Sequence, residues 1–96
     1  MFAIGAFSRL CGVSAKALRA YDAAGLFRPA WVDGSSSYRF YSPAQLPEIR
    51  RIVALREMGM GLSDIGAAVA SGDLRDALVR RRAELDREAR AVERRL

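Results

Sequence analysis

A tight turn and a helix are encoded in residues 12–25, which read GVSAKALRAYDAAG. Ser14 is a favourable residue for capping a helix N-terminus, the segment after it is rich in strong helix formers, and Gly25 tolerates the left-handed conformation that commonly ends a helix. Upstream, apolar residues recur at helical spacing between Ile4 and Cys11, which predicts a first short helix. Two short helices joined by a glycine-containing turn are the outline of a helix-turn-helix.

The second helix presents polar residues on its outward side. Lys16 and Arg19 lie three residues apart and therefore on one side of the helix, whereas Leu18 lies with the apolar residues. In a helix-turn-helix the second helix enters the major groove of DNA, so Ser14, Lys16 and Arg19 are predicted to contact the groove and its bordering phosphates. A solvated helix face is the alternative explanation for these three residues. Tyr21 either donates its hydroxyl to a phosphate or fills the core.

The residues that follow this helix predict a β-hairpin, or wing. Two segments with aromatic and β-branched residues, which end at Val32 and Tyr41, flank a polar turn rich in serine. One face of the hairpin is expected to pack and the other to face DNA. Arg39 is predicted to bind a phosphate bidentately. Tyr38 and Tyr41 are predicted to contact DNA as well, with packing as the alternative for either.

A third helix is predicted to begin at the segment Ser42-Pro43-Ala44-Gln45, which has an N-cap serine, a first-turn proline and a glutamine at the third position. Pro47 falls where an intrahelical N–H is wanted, so either the first turn is distorted or the regular helix begins near Pro47 itself. Arg50 and Arg51 are predicted to contact backbone phosphates, although a solvated helix face explains at least one of them. Glycines are predicted to end this third helix. A short fourth helix is predicted to follow it and to end at Gly72.

Residues 73–96 contain no glycine or proline and predict one long helix. Apolar residues recur along it in alternating three- and four-residue steps, with Arg82 as the polar exception, which is typical of a narrow coiled-coil contact. A helix folded back onto its own domain is the alternative. The predicted dimerisation residues are Leu78, Leu85, Ala89, Val92 and Leu96. The chain is thus predicted to divide into a DNA-binding domain, residues 1–72, and a dimerisation helix, residues 73–96.

The composition favours a nucleic-acid partner and gives little support to an enzyme. The 96 residues carry a formal charge of +5, and arginine supplies all of the 16 basic residues except Lys16. The chain has no histidine and one cysteine, Cys11, so no general base of the commonest kind, no internal disulfide and no usual metal site can be assembled. We expect no enzyme activity and no cofactor. Without a signal segment or an apolar run of about 20 residues, we expect a cytoplasmic protein with no membrane partner.

The order of the predicted elements and several sequence motifs resemble those of the MerR family of bacterial transcription regulators. The resemblance covers about residues 4–70, and the long last helix sits where the family keeps its antiparallel dimerisation helix. It implies a mainly α-helical winged helix-turn-helix with a small β-hairpin. The matching motifs are Ile4-Gly5 with Phe7, Gly12-Val13-Ser14, Leu18-Arg19 with Tyr21-Asp22, Gly25-Leu26, Tyr38-Arg39-Phe40-Tyr41, and Leu55-Arg56 with Met58-Gly59 before Ile65.

The same resemblance implies a mechanism. A homodimer is expected to bind a near-palindrome in double-stranded promoter DNA and to bend and untwist an overlong promoter spacer for RNA polymerase. The segments around Lys16, Leu26 and Tyr38 are most similar to the multidrug-responsive branch, whose members bind effectors through a C-terminal domain. The chain is therefore expected to be a DNA-binding fragment or a naturally short member, with an effector acting only through such a domain. Ala20 departs from the family, which usually has a second aromatic residue there.

Two rival functions stay open at this point. An excisionase-like accessory protein would use a related winged helix to bend DNA for recombination, and a protein-interaction module would use the long helix to dock a partner. The coiled-coil pattern of the last helix argues against the first of these. Sequence-specific DNA binding would argue against the second.

Overall fold

The first two helices form where their capping residues predict them. In the computed structural model, which describes residues 1–95, helix α1 spans Ile4–Cys11 and helix α2 spans Ala15–Ala23. Gly12 ends α1 with a φ of 73°, a left-handed conformation that glycine adopts without a Cβ clash. The Ser14 hydroxyl accepts a hydrogen bond from the Ala17 amide at 3.0 Å and so caps α2. The predicted helix-turn-helix is confirmed.

A three-stranded antiparallel sheet follows. Strands β1 (Phe2–Ala3), β2 (Trp31–Val32) and β3 (Arg39–Tyr41) are arranged in the order β1-β3-β2. The pairing of β2 with β3 confirms the predicted hairpin. Strand β1 was not predicted, because two residues are too few to show an alternating pattern. It makes β3 the central strand.

The tip of the hairpin is held by its own side chains. The Asp33 carboxylate accepts hydrogen bonds from the Ser35 and Ser36 hydroxyls and from the Ser36 amide. These bonds lower the pKa of the Asp33 carboxyl below its usual value. Ser37 adopts a φ of 62° and donates its amide to the Asp33 carbonyl at 2.8 Å. The serine-rich tip is therefore an ordered turn.

The start of the third helix accommodates Pro47. A 3₁₀ turn, Pro43–Gln45, precedes helix α3, which spans Leu46–Glu57. Ser42 and Gln45 form a reciprocal capping box, in which the Gln45 side chain accepts from the Ser42 amide at 2.9 Å. The first turn is a 3₁₀ turn and not an α-helical one, and the regular helix begins at Leu46, next to Pro47, so both alternatives hold. Pro47 lies in the opening turn of α3, where its missing N–H leaves no intrahelical bond unmade.

The last two helices have the bounds that the positions of the glycines predict. Helix α4 spans Leu62–Ser71 and ends at Gly72, whose φ is 71°. Helix α5 spans Leu74–Arg95, in agreement with the predicted long helix. Leu96, a predicted dimerisation residue, lies outside the described residues. Among residues 1–95 no helix is both long and apolar enough to cross a membrane.

The chain divides into two compact units, Met1–Arg50 and Arg51–Leu96. This division by internal packing differs from the predicted functional division at residue 72, which stays a prediction. Helix α5 belongs to the same unit as α4, and its first turns are buried there. In the first unit the buried apolar residues are Phe7, Val13, Leu18, Leu26, Phe27, Tyr41 and Ile49, and in the second they are Ile52, Leu55, Ile65, Ala68, Leu74 and Ala77.

Tyr41 is a structural residue of the first unit. It is fully buried, and its ring stacks on Phe7 at 4.6 Å and on Phe27 at 5.8 Å between ring centroids. The prediction that Tyr41 contacts DNA is therefore wrong, because the aromatic core covers the whole side chain. The packing alternative is the correct one.

Candidate nucleic-acid interface

The outward side of α2 is available for contact with a partner. Lys16 and Arg19 are exposed, whereas Leu18 is fully buried. This separation follows from the helical repeat, which places residues 16 and 19 on one side and residue 18 on another. Ser14 is exposed as well, and its oxygen already accepts the capping hydrogen bond. Its hydroxyl proton stays available for a further acceptor.

A cleft of about 370 Å³ brings the helix and the wing together. Arg19 lines it from α2, and Tyr38 and Arg39 line it from the wing. Two arginines that lie 20 positions apart in the chain thus line one concave surface. Guanidinium groups bind phosphate oxygens through paired N–H donors. The remaining lining residues are Ala3, Ile4 and Ser37.

Arg39 is held at this cleft by an acidic residue of α2. Its Nε donates to the Asp22 carboxylate at 2.8 Å, and the two side chains are 33% and 21% exposed. Arg39 lies on the same face of β3 as the buried Tyr41, because residues two apart in a strand point the same way. Asp22 was not among the predicted site residues. The signal that could have indicated it is its position three residues after Arg19 on α2.

The two other tyrosines lie in different surroundings. Tyr38 is 69% exposed beside the cleft, as a residue that contacts a partner must be. Tyr21 is half-buried, and its backbone carbonyl accepts hydrogen bonds from the Leu26 and Phe27 amides. Its position is compatible with both of the roles predicted for it, phosphate contact and packing.

The arginines of α3 are not brought to this cleft. Arg50 is exposed and Arg51 is half-buried, and neither lines the cleft. Their contact with phosphates stays a prediction. In the second unit, Arg81 is half-buried and donates its Nε to the Met58 carbonyl at 2.9 Å. That arginine is a structural residue, since it ties α5 to the end of α3.

The predicted dimerisation residues run along α5 from a half-buried end to an exposed one. Leu78 and Leu85 are half-buried, whereas Ala89 and Val92 are exposed. Val92 retains 54% of its surface, which is a large exposure for an apolar side chain at helical spacing from two leucines. Val79 is 66% exposed and lies one position past Leu78, off this line. The apolar line from Leu78 to Val92 is called the α5 seam below.

Comparison with known proteins gives the family. Over residues 2–71 the chain matches the family described as MerR HTH family regulatory protein. The chain belongs to the MerR family. The matched residues include the helix-turn-helix, the wing and helices α3 and α4. The predicted family and the predicted winged helix-turn-helix fold are confirmed.

Three similar proteins illustrate the relationship. The chain is 41% identical over 76 residues to the transcriptional regulator BrlR of Pseudomonas aeruginosa, covering 79% of this chain and 28% of BrlR. It is 43% identical over 67 residues to the multidrug-efflux transporter 1 regulator of Bacillus subtilis, covering 70% of this chain and 24% of that protein. The cryo-EM structure of the EcmrR-DNA complex in EcmrR-RPo matches with a TM-score of 0.73 and 32% identity, over 95% of this chain and 34% of EcmrR.

The chain thus spans about a quarter of the length of the two curated relatives, from Pseudomonas aeruginosa and Bacillus subtilis. The relatives are named as regulators, and one of them as a regulator of multidrug efflux. Membership of this family favours a transcription regulator over an excisionase-like accessory protein or a protein-interaction module. The similarity to the multidrug-responsive branch noted in the sequence agrees with the name of the Bacillus relative.

Proposed function

We propose that this chain binds double-stranded promoter DNA sequence-specifically as a homodimer and regulates transcription. The observation that carries the proposal is the cleft in which Arg19 of α2 and Arg39 of the wing lie together, beside the exposed side of a recognition helix. A solvated helix face would explain Lys16 and Arg19 alone. It does not explain why a second arginine from a distant strand occupies the same concave surface.

The proposed roles follow from position and chemistry. Lys16 and Arg19 enter the major groove, with Ser14 at the bordering phosphate. Arg39 and Tyr38 bind the phosphate backbone beside the groove, where contacts fix orientation and carry no direct sequence information. Other candidates for phosphate contacts are Tyr21, Arg50 and Arg51.

The dimer is proposed to form through the α5 seam and the adjoining Leu96. Two recognition helices related by a two-fold axis would then meet two half-sites, which requires a near-palindromic operator. Bending and untwisting of the promoter spacer in the presence of RNA polymerase is the proposed output. EcmrR, a relative of known structure, is seen on DNA, which supports this assignment. We place effector recognition outside these 96 residues, so a small molecule should leave their DNA affinity unchanged.

The proposal is tested by selecting duplexes from a random-sequence pool with the 96-residue chain. We expect enrichment of an inverted repeat. On the selected duplex, Arg39→Ala should weaken binding about tenfold for all sequences alike, as loss of a charge-assisted phosphate contact does. Arg19→Ala and Lys16→Ala should also weaken binding and, in addition, relax sequence preference at one position of each half-site.

Arg95→Ala is the matched control, since it removes the same charge from the far end of α5. It should change the affinity by less than about twofold, because Arg95 is not among the residues that line the cleft and a single exposed charge is screened by salt. A pool that shows no enrichment, or equal effects of Arg95→Ala and Arg39→Ala, contradicts the proposed function.

A further inference from the structure

The geometry points to Asp22 as a positioning residue for DNA binding: its carboxylate holds the Arg39 guanidinium at the cleft, so that Arg39 can bind the phosphate backbone beside the groove that Arg19 enters. The inference rests on the proposed function of the cleft. It concerns a residue that does not itself line the cleft and whose negative charge would, by charge alone, oppose DNA binding.

The contact leaves the phosphate-binding end of Arg39 free. A guanidinium group has five N–H donors, one on Nε and four on the two terminal nitrogens. Asp22 accepts from Nε at 2.8 Å, so this contact uses none of the four terminal donors. Arginine is a long side chain with high rotamer entropy, and fixing it before binding lowers the entropic cost of the DNA contact.

The pair also joins two elements that the chain keeps apart. Asp22 belongs to α2 and Arg39 to β3, 17 residues further on, so their contact ties the wing strand to the recognition helix. Both side chains are partly shielded from water, at 21% and 33% exposure, which makes the contact stronger than a fully solvated ion pair. Asp22 lies three residues after Arg19 on the same helix, so the carboxylate that contacts Arg39 belongs to the helix that carries the other arginine of the cleft.

Two explanations of Asp22 predict effects of opposite sign. If only net charge mattered, replacing Asp22 would raise the formal charge from +5 by one and tighten binding to DNA. If Asp22 positions Arg39, its removal frees the guanidinium and weakens binding despite the gain in charge. The direction of change in affinity therefore separates them.

The test measures the affinity of the full 96-residue chain for the duplex selected from the random pool, across a salt titration. We expect Asp22→Ala to weaken binding about tenfold, the loss typical of one charge-assisted hydrogen bond. The slope of log affinity against log salt should fall by about one per subunit, because one phosphate contact is lost in each. Asp22→Asn keeps an acceptor for Nε and should bind with an affinity between those of wild type and Asp22→Ala.

Two controls make the result specific to Arg39. Glu57→Gln removes one negative charge from an exposed position at the end of α3 and should not weaken binding. In an Arg39→Ala background, Asp22→Ala should cause no further loss, since a residue that acts through Arg39 has nothing left to position. A thermal unfolding curve for each variant separates loss of DNA affinity from loss of fold.

The outcomes distinguish the inference from the function on which it rests. If Arg39→Ala weakens binding and Asp22→Ala leaves it unchanged or tightens it, the positioning role is wrong and the proposed function stands. The same conclusion follows if Asp22→Ala weakens binding as much in the Arg39→Ala background as in wild type. If neither Arg19→Ala nor Arg39→Ala weakens binding, the proposed cleft itself is wrong.

Discussion

Tyr41 carries a phenolic hydroxyl into the aromatic core of the first unit. The whole side chain is buried, and its oxygen has no hydrogen-bond partner among the described residues. Burial, and next the negative charge of Asp22, raise the pKa of the Tyr41 phenol above its ordinary value of 10.0. Burial of this hydroxyl therefore destabilises the folded state, and the stacking of the ring on Phe7 and Phe27 compensates for the loss.

Tyr41→Phe is expected to leave the free energy of unfolding at pH 7 unchanged or to raise it by about 1 kcal/mol, since an unpartnered polar atom leaves the core. Because the pKa of Tyr41 is higher in the folded than in the unfolded chain, its protonated form stabilises the fold below pH 10, and this contribution is lost as the pH rises further. Wild type should therefore lose stability above pH 10 faster than Tyr41→Phe.

Urea unfolding between pH 7 and pH 11 measures this difference, with Tyr38→Phe as the control at a tyrosine that is 69% exposed. The Tyr38 variant should follow wild type at every pH. A Tyr41→Phe protein that is less stable at pH 7 would show that the hydroxyl has a partner, such as an internal water molecule.

Helix α2 depends on a cap that its own sequence supplies. The Ser14 hydroxyl accepts from the Ala17 amide, and an extended backbone at Ser14, with ψ of 151°, turns the chain into the helix. Ser14→Ala should lower the free energy of unfolding by about 1 kcal/mol, the usual contribution of a side-chain N-cap. Ser14→Asp keeps a capping oxygen and should retain the stability of wild type.

The two variants also separate stability from DNA binding. By the proposed function Ser14→Asp should fold normally yet bind DNA more weakly, because its carboxylate would face a phosphate. Chemical denaturation and DNA titration of both variants test this. Equal stability of Ser14→Ala and wild type would mean that the cap contributes little to α2.

The whole molecule is proposed to work as a dimer, and α5 offers two exposed valines with which to test the contact. Val92 lies on the α5 seam and is 54% exposed, whereas Val79 is 66% exposed and lies off it. Val92→Glu should lower dimer affinity by at least about tenfold, since a carboxylate would be buried against the partner helix. Val79→Glu should leave the dimer intact. Sedimentation velocity over a range of concentrations gives both affinities.

Dissociation by Val79→Glu to the same extent would place the contact on another side of α5. If Val92→Glu leaves the dimer intact, the contact also does not lie on the α5 seam. Neither result would bear on the helix-turn-helix itself, because Arg19 and Arg39 belong to the first unit.

Local signals were sufficient to predict most of the secondary structure. Ser14 as a cap, Gly12 and Gly72 as left-handed terminators, and the capping box at Ser42 act over a few residues, so they can be recognised in the sequence. Strand β1 was not predicted, because it has no such local signal. Its two residues carry no pattern of their own and pair only because β3 is present.

The candidate site also has one part that local sequence predicts and another part that depends on tertiary packing. The exposed side of α2, with Lys16 and Arg19, follows from the helical repeat and was predicted by the sequence alone. Alternation along β3 also places residues 39 and 41 on one face, but it cannot say whether that face is covered. The tertiary structure decides that Tyr41 is buried between two phenylalanines and that Arg39 contacts Asp22, because both contacts join residues distant in the chain, whose proximity depends on packing.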